Sequence, residues 1–146
     1  MATNLGTVIT AMVTPFTDDL KIDLNRMAEL TDRLIDMGSD GLLVTGTTGE
    51  SPTLSADEKN ALWETVIKRA RGRVPVMLGT GSNNTEQSIA LTKKAEEVGG
   101  DAVLLVTPYY NKPPQNALYE HFKAVAKATK LPVMIYNVPG RTSRNI

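Results

Sequence analysis

"YNVPGRTSRNI", residues 136–146, carries a polar tail out of an apolar run, "PVMIYN". The run reads as a buried strand, since Val, Met and Ile fill it and Pro132 and Asn137 bound it. The tail is too polar to cover an apolar strand, and no helix is expected after it. Four similar runs come earlier: "TVITAMV" (7–13), "GLLVT" (41–45), "VPVMLGT" (74–80) and "DAVLLVT" (101–107). All are short and rich in Val, Ile and Leu, as strands buried on both faces must be.

Helical patterns separate them. Leu24, Met27, Leu30, Leu34 and Ile35 share one face of a first helix, which stops at Met37-Gly38. Ser55 and Glu58 form a capping box that opens a second, carrying Leu62, Val66 and Ile67 and ending before Gly72. Asn84 to Gln87 opens a third, with Ile89 and Leu91, which stops at Gly99-Gly100. The fourth follows Pro113-Pro114, where proline suits a helix start, and carries Leu118, Phe122 and Val125. Strand and helix alternate about every 30 residues, the size of a βαβ unit. Two α/β architectures fit. A doubly wound open sheet of flavodoxin type is complete with five strands. A (β/α)8 TIM barrel takes about 250 residues, so the 146 here would form a single N-terminal part-barrel domain with about five parallel strands and four main helices.

Composition narrows the function classes. Hydrophobic residues are 41% and charged residues 22%, globular values that argue against disorder. The 16 basic and 16 acidic residues leave a formal net charge of +0, with no electrostatic reason to expect nucleic acid or an anionic membrane. No apolar run approaches the roughly 20 residues that span a bilayer. "MATNLGTVIT" lacks the order of a signal peptide. There is no cysteine and hence no disulfide framework or thiolate chemistry, which fits a cytoplasmic protein. The single histidine, His121, falls inside the fourth helix, which disfavours a structural zinc site and a Ser-His-Asp triad.

Polar residues gather where strands end. "TPF", "GTTGES", "GTGSNN", "TPYYNKP" and "YNVPGRT" follow the five strands in turn, whereas the strand starts are plainer: Asp40, Val74, Asp101 and Pro132. Parallel α/β folds build their sites at the carboxyl ends of strands. Ordinary turns use the same residue types, so one such loop means little and five carry more. "GTTGES" sets two hydroxyls between glycines, suited to a carboxylate or a proton transfer, and lacks the lysine a phosphate loop wants. Tyrosine hydroxyls are neutral near pH 7 and can relay protons, and a free arginine suits a carboxylate. Taken singly, Tyr110 reads as packing and Arg141 as a solvated charge. Trp63 reads as core.

Together, "GTTGES", "GTGSNN", "TPYYNKP" and "YNVPGRT", with "TAMVTPF" ahead of them, resemble the dihydrodipicolinate synthase family over essentially the whole chain. Related N-acetylneuraminate lyases usually lack the arginine that "YNVPGR" places at 141. The resemblance implies a (β/α)8 barrel, assembled as a homo-oligomer, that condenses pyruvate with aspartate semialdehyde on the route to diaminopimelate and lysine. It implies that pyruvate first forms a Schiff base with a lysine, and that no metal or organic cofactor takes part. It assigns Thr47, Tyr110 and Tyr136 to a catalytic proton relay, with Tyr110 reaching in from a neighbouring subunit. It assigns Thr48 to the pyruvate carboxylate and Arg141 to the carboxylate of the second substrate. Lysine-inhibited members tend to carry histidines near the start of the second helix and a glutamate in the third. Ala56, Lys59 and Gln87 stand at those positions, with Asn83 and Tyr109 compatible, which implies weak or absent lysine inhibition.

The Schiff-base lysine of the family lies on the sixth barrel strand, beyond residue 146. Lys21, Lys59, Lys68, Lys93, Lys94, Lys112, Lys123, Lys127 and Lys130 all fall outside the strand cores, most on helices where a solvated amine is expected. Lys112, beside the tyrosines, is the nearest to a substitute. The expectation is an N-terminal part-barrel, inactive alone and self-associating through open strand edges and apolar faces. The alternatives are a pyruvate lyase that works through a substitute lysine or a partner half, and a non-catalytic flavodoxin-like small-ligand binder.

Overall fold

The computed structural model describes residues 4–146. Five parallel strands form one sheet: β1 (Ile9–Ala11), β2 (Gly41–Val44), β3 (Val76–Gly79), β4 (Ala102–Val106) and β5 (Val133–Tyr136). Helices α1 (Leu24–Asp36), α2 (Ala56–Ala70), α3 (Thr85–Glu97) and α4 (Gln115–Ala126) connect them, and a one-turn α5 (Pro139–Thr142) follows β5.

Strand order decides between the two architectures. The order is β1-β2-β3-β4-β5, each strand beside its sequence neighbours. A doubly wound sheet reverses direction at a switch point, and none occurs here. The flavodoxin-like alternative is thereby excluded, and the sheet is a part of a TIM barrel, curled into a half-barrel. Alternate residues face opposite sides, as the two-residue strand period requires. Leu42, Val44, Val76, Leu78 and Val103 pack outward under the helices around Met27, Leu62, Trp63 and Val66. Met77, Ala102 and Leu104 pack on the concave side with Ile9, Leu43 and Tyr136.

Local chemistry places the helix ends. Asp23 caps α1, its carboxylate accepting from Arg26 N–H at 2.9 Å. At α2 the expected capping box is present: Ser55 Oγ accepts from Glu58 N–H, and Glu58 Oε2 accepts from Ser55 N–H at 2.8 Å. Asn84 Oδ1 caps α3 through Gln87 N–H at 3.0 Å. Such caps are worth about 1 kcal/mol each. Leu118, Phe122 and Val125 of α4 bury against Leu105 of β4.

Carboxylates fasten the strand starts. Asp40, just before β2, accepts from Val8 N–H at 2.9 Å and Thr7 N–H at 3.0 Å, fixing the approach to β1. Asp101, just before β4, accepts from Val76 N–H at 2.8 Å. Each thus occupies N–H groups of the preceding strand that would otherwise go unpaired.

Three sequence expectations change. β1 is shorter than the apolar run, although Met12 N–H still reaches Leu43 O at 2.9 Å. Pro139 starts a helical turn where none was expected, and Ser143 ends it in the left-handed region. That turn is too short to cover β5, whose Met134 and Ile135 are 38% and 47% exposed. Finally, Lys59 is no solvated helix amine: it is 6% exposed.

The N–H donors of Val8 and then Thr7 hold the Asp40 carboxyl below its ordinary pKa. The folded value lies under the unfolded one of about 3.9, so the stabilisation is complete above that pH. It fades as pH falls through the folded value. Asp40→Asn should therefore lower the urea midpoint at pH 7, and the deficit should shrink towards zero as titration proceeds below about pH 4.

Candidate active site

Thr45 follows β2, and its φ of 54° turns the chain into the left-handed region. Its buried hydroxyl lies 2.7 Å from Val44 O and 3.1 Å from Gly79 O, and accepts from Trp63 Nε1–H at 2.8 Å. Trp63 is fully buried, so it is a positioning side chain of the core, as its sequence context implies. From Thr45 the Gly-rich turn folds back on itself: Gly49 N–H donates to Gly46 O at 3.1 Å and Glu50 N–H to Thr47 O at 3.1 Å. Thr14, after β1, donates its hydroxyl proton to Gly49 O at 2.7 Å and ties the first loop to the second.

Close backbone approach explains "GTG" at the end of β3. A Cβ on Gly79 would stand 2.2 Å from Thr45 O, and one on Gly81 would stand 2.5 Å from Val106 N. Only glycine admits these contacts. The motif is thus a packing requirement between three adjacent strand ends.

These ends frame a cavity of about 190 Å³ at the carboxyl side of the sheet. Thr45, Thr47, Ser51, Tyr109, Arg141 and Thr142 line it, with Leu104 and Val106 as its apolar wall. Arg141 sits in α5, and its guanidinium has no hydrogen-bond or ion-pair partner among the described residues. Thr142, 2% exposed, holds the turn by donating to Val138 O and Arg144 O. Burial pushes the Tyr109 hydroxyl above its ordinary pKa, keeping it a neutral donor and acceptor.

The expected site residues divide. Thr47 and Arg141 share the cavity. Thr48 is exposed on the same turn but does not line it. Tyr136 packs on the concave cluster below, its carbonyl accepting from Thr107 N–H at 3.1 Å and Thr107 Oγ1–H at 3.2 Å. Tyr110 is 89% exposed, on a left-handed φ of 71°, and points out of the cavity. Its neighbour Tyr109 lines the cavity instead. Ser51 also lines it, a residue that sequence reasoning does not single out although its place inside "GTTGES" signals it. No lysine lines the cavity. Lys112 is exposed, its carbonyl accepting from Arg144 Nη2 at 2.6 Å.

A family model, the dihydrodipicolinate synthetase family, matches residues 4–146. The chain belongs to that family. It is 62% identical over 139 residues to the 4-hydroxy-tetrahydrodipicolinate synthase of Bacillus subtilis, covering 95% of this chain and 48% of that protein. The crystal structure of dihydrodipicolinate synthase from Bacillus anthracis superposes with a TM-score of 0.97 at 57% identity, over 100% of this chain and 50% of that one. The chloride-inhibited synthase of Acinetobacter baumannii, solved with pyruvate, gives 0.94 at 45% identity, over 97% of this chain and 48% of that one. The chain therefore spans about half the length of the relatives it matches. No described helix is long and apolar enough to cross a membrane.

The two glycine positions should separate in mutagenesis. Gly79→Ala drives a Cβ into the Thr45 carbonyl and should cost about 3 kcal/mol or more in urea unfolding. Gly46→Ala meets only the movable end of Leu43, at 3.0 Å, and should stay within about 1 kcal/mol of wild type.

Proposed function

We propose that these 146 residues are the N-terminal half of a Schiff-base lyase that condenses pyruvate with aspartate semialdehyde, in the cytoplasm and as a homo-oligomer. The observation that carries the reading is the shared cavity: the Gly-rich turn supplies Thr47 and the one-turn helix α5 supplies an unpartnered Arg141. A hydroxyl and a free guanidinium facing one small space suit a keto acid and a second carboxylate.

In this reading Thr47, Tyr110 and Tyr136 relay protons to and from the covalent intermediate. Thr48 holds the pyruvate carboxylate and Arg141 that of the second substrate. The outward stance of Tyr110 fits a side chain that serves the cavity of a neighbouring subunit rather than its own. The nucleophile is a different matter. Schiff-base formation needs an unprotonated amine in reach of the keto carbon, helped by desolvation or a nearby cation. No lysine lines the cavity. As the 146-residue chain, the protein binds but does not complete the covalent step.

The same chain self-associates. Met134 and Ile135 stand on opposite faces of β5, and both are exposed. β5 is also a sheet edge, with unpaired backbone groups on its outer side. At the other edge Val8 and Val13 are 56% and 51% exposed. A second copy covers such surfaces most simply by a two-fold contact.

Incubation with pyruvate and borohydride, followed by intact mass, is expected to leave the chain unmodified, since reduction traps only a formed Schiff base. A single stoichiometric adduct would overturn inactivity, and peptide mapping would then test Lys112 first. Sedimentation velocity is expected to show a dimer or larger species whose dissociation constant rises about tenfold or more in Ile135→Glu. A monodisperse monomer at high concentration would remove the assembly.

A further inference from the structure

His121 is buried in α4, 6% exposed. Its Nδ1 lies 2.9 Å from Oγ1 of Thr85, the first residue of α3. That is the only hydrogen bond of the imidazole among the described residues. The Phe122 ring meets it edge-on, with 5.3 Å between ring centroids. Nε2 is buried and has no partner.

The missing partner fixes the tautomer. In a neutral imidazole one nitrogen carries a hydrogen and the other a lone pair. A buried N–H without an acceptor is a rarer omission than a buried acceptor without a donor. The hydrogen therefore sits on Nδ1 and is donated to Thr85 Oγ1, which leaves Nε2 as the bare lone pair. A second proton has only Nε2 to go to. It would create a charged N–H where no acceptor stands, a costly form of burial.

No neighbouring charge offsets that cost. On α3, Glu86 and Lys93 are exposed, and Glu96 is engaged by Thr129 and Lys130. On α4, Glu120 pairs with Lys123 at 3.3 Å. β4 and β5 present apolar Leu105 and Val133 to α4. Ahead of α4, Arg144 donates to the Lys112 carbonyl, and both side chains are cations. Burial alone pulls His121 below its ordinary pKa.

The start of α3 braces two loops. Ser88 Oγ accepts from Ser82 N–H at 2.9 Å, and Ser82 Oγ accepts from Asn84 N–H at 3.0 Å. Asn83 O accepts from Asn111 Nδ2–H at 3.2 Å, which ties the loop after β3 to the loop after β4. These loops supply Gly81 and Tyr109 to the strand-end cavity. His121 thus fastens α4 to the helix end on which both loops depend.

We propose that His121 is a pH-sensitive latch: protonation at Nε2 parts α4 from the start of α3 and loosens the two loops beside the strand-end cavity. The opened state binds a proton that the closed state refuses, so closure is favoured as pH rises. The penalty is absent well above the free histidine value of about 6.5 and grows as pH falls below it. Between about pH 7.5 and about pH 5 the opened fraction rises by at most about thirtyfold. The latch rests on packing and does not depend on the lyase reading.

NMR of the imidazole nitrogens across this pH range tests the site. The Nδ1–H tautomer is expected at about pH 7.5, with a His121 midpoint below about 6.5. Amide exchange, corrected for the intrinsic rate at each pH, tests the opening. The N–H groups of Ser82, Gln87 and Ser88 are bonded within the first turn of α3. Their opening should increase about tenfold or more at about pH 5, while Leu62 and Val66 in α2 change less than about twofold. His121→Asn keeps a donor near the Nδ1 position and cannot take up a proton, so it should abolish the rise. His121→Phe is the second variant; it should also be flat, from a higher starting level because Thr85 loses its partner. A midpoint at or above about 6.5, an Nε2–H tautomer, or an equal rise in wild type and either variant would overturn the latch. An equal rise in α2 would overturn it too, since the whole domain would then be opening.

Discussion

The carbonyl oxygen of Thr45 occupies the space that a side chain on Gly79 would need. Much of the strand-end architecture depends on that contact. A single hydroxyl proton on Thr45 serves the carbonyls of Val44 and Gly79 while its oxygen accepts from Trp63. Leaving any of these buried groups unpaired would cost about 1–3 kcal/mol. The hub thereby joins β2, β3 and α2 at one point, just where the Gly-rich turn leaves the sheet. Thr47 and Ser51 take their positions from that turn, and Gly49 is fastened from the other side by Thr14. The cavity is a consequence of how closely two strand ends approach.

The sheet is covered on both faces only through its three middle strands. β2, β3 and β4 are buried on both faces, as parallel strands require. β5 is not, for α5 is a single turn and its polar residues face the cavity rather than the outer surface of the strand. Exposed Met134 and Ile135 follow directly from this. The residues that complete the cavity and those that leave the sheet open lie within one short segment of chain. The cavity lining and the open face of the strand therefore share an origin in the way the chain leaves β5.

Strand and helix periods were legible because each rests on local rules. The capping box at Ser55 and the glycine stops at Gly38 and Gly99 are set by a few neighbouring residues, and they stand as read. Periodicity could not choose between open sheet and barrel, since both use the same βαβ unit; strand order is a long-range property. The tyrosine pair shows another limit. Tyr109 and Tyr110 are adjacent and chemically identical, and only the left-handed backbone at 110 sends one inward and the other out. Helix position alone does not reveal that Lys59 is on a packed face, so the sequence leaves it a solvated amine. In Trp63 the sequence showed burial but not the hydrogen bond that orients it.

The strand-end cavity and a second one, between α2 and α3, meet across a short stretch of chain. Ser51 and Pro52 line the one at the strand ends, while Leu54 and Ala56 line the one between α2 and α3. Proximity alone does not couple them. Coupling requires two arrangements of the shared segment, one favoured by each ligand. The segment is fastened at both ends. Thr53 Oγ1 donates to Glu50 O at 2.9 Å, and the reciprocal bonds between Ser55 and Glu58 fix the start of α2. Loss of either set would free it to move. With both sets intact, the stretch between the cavities is fastened at both ends.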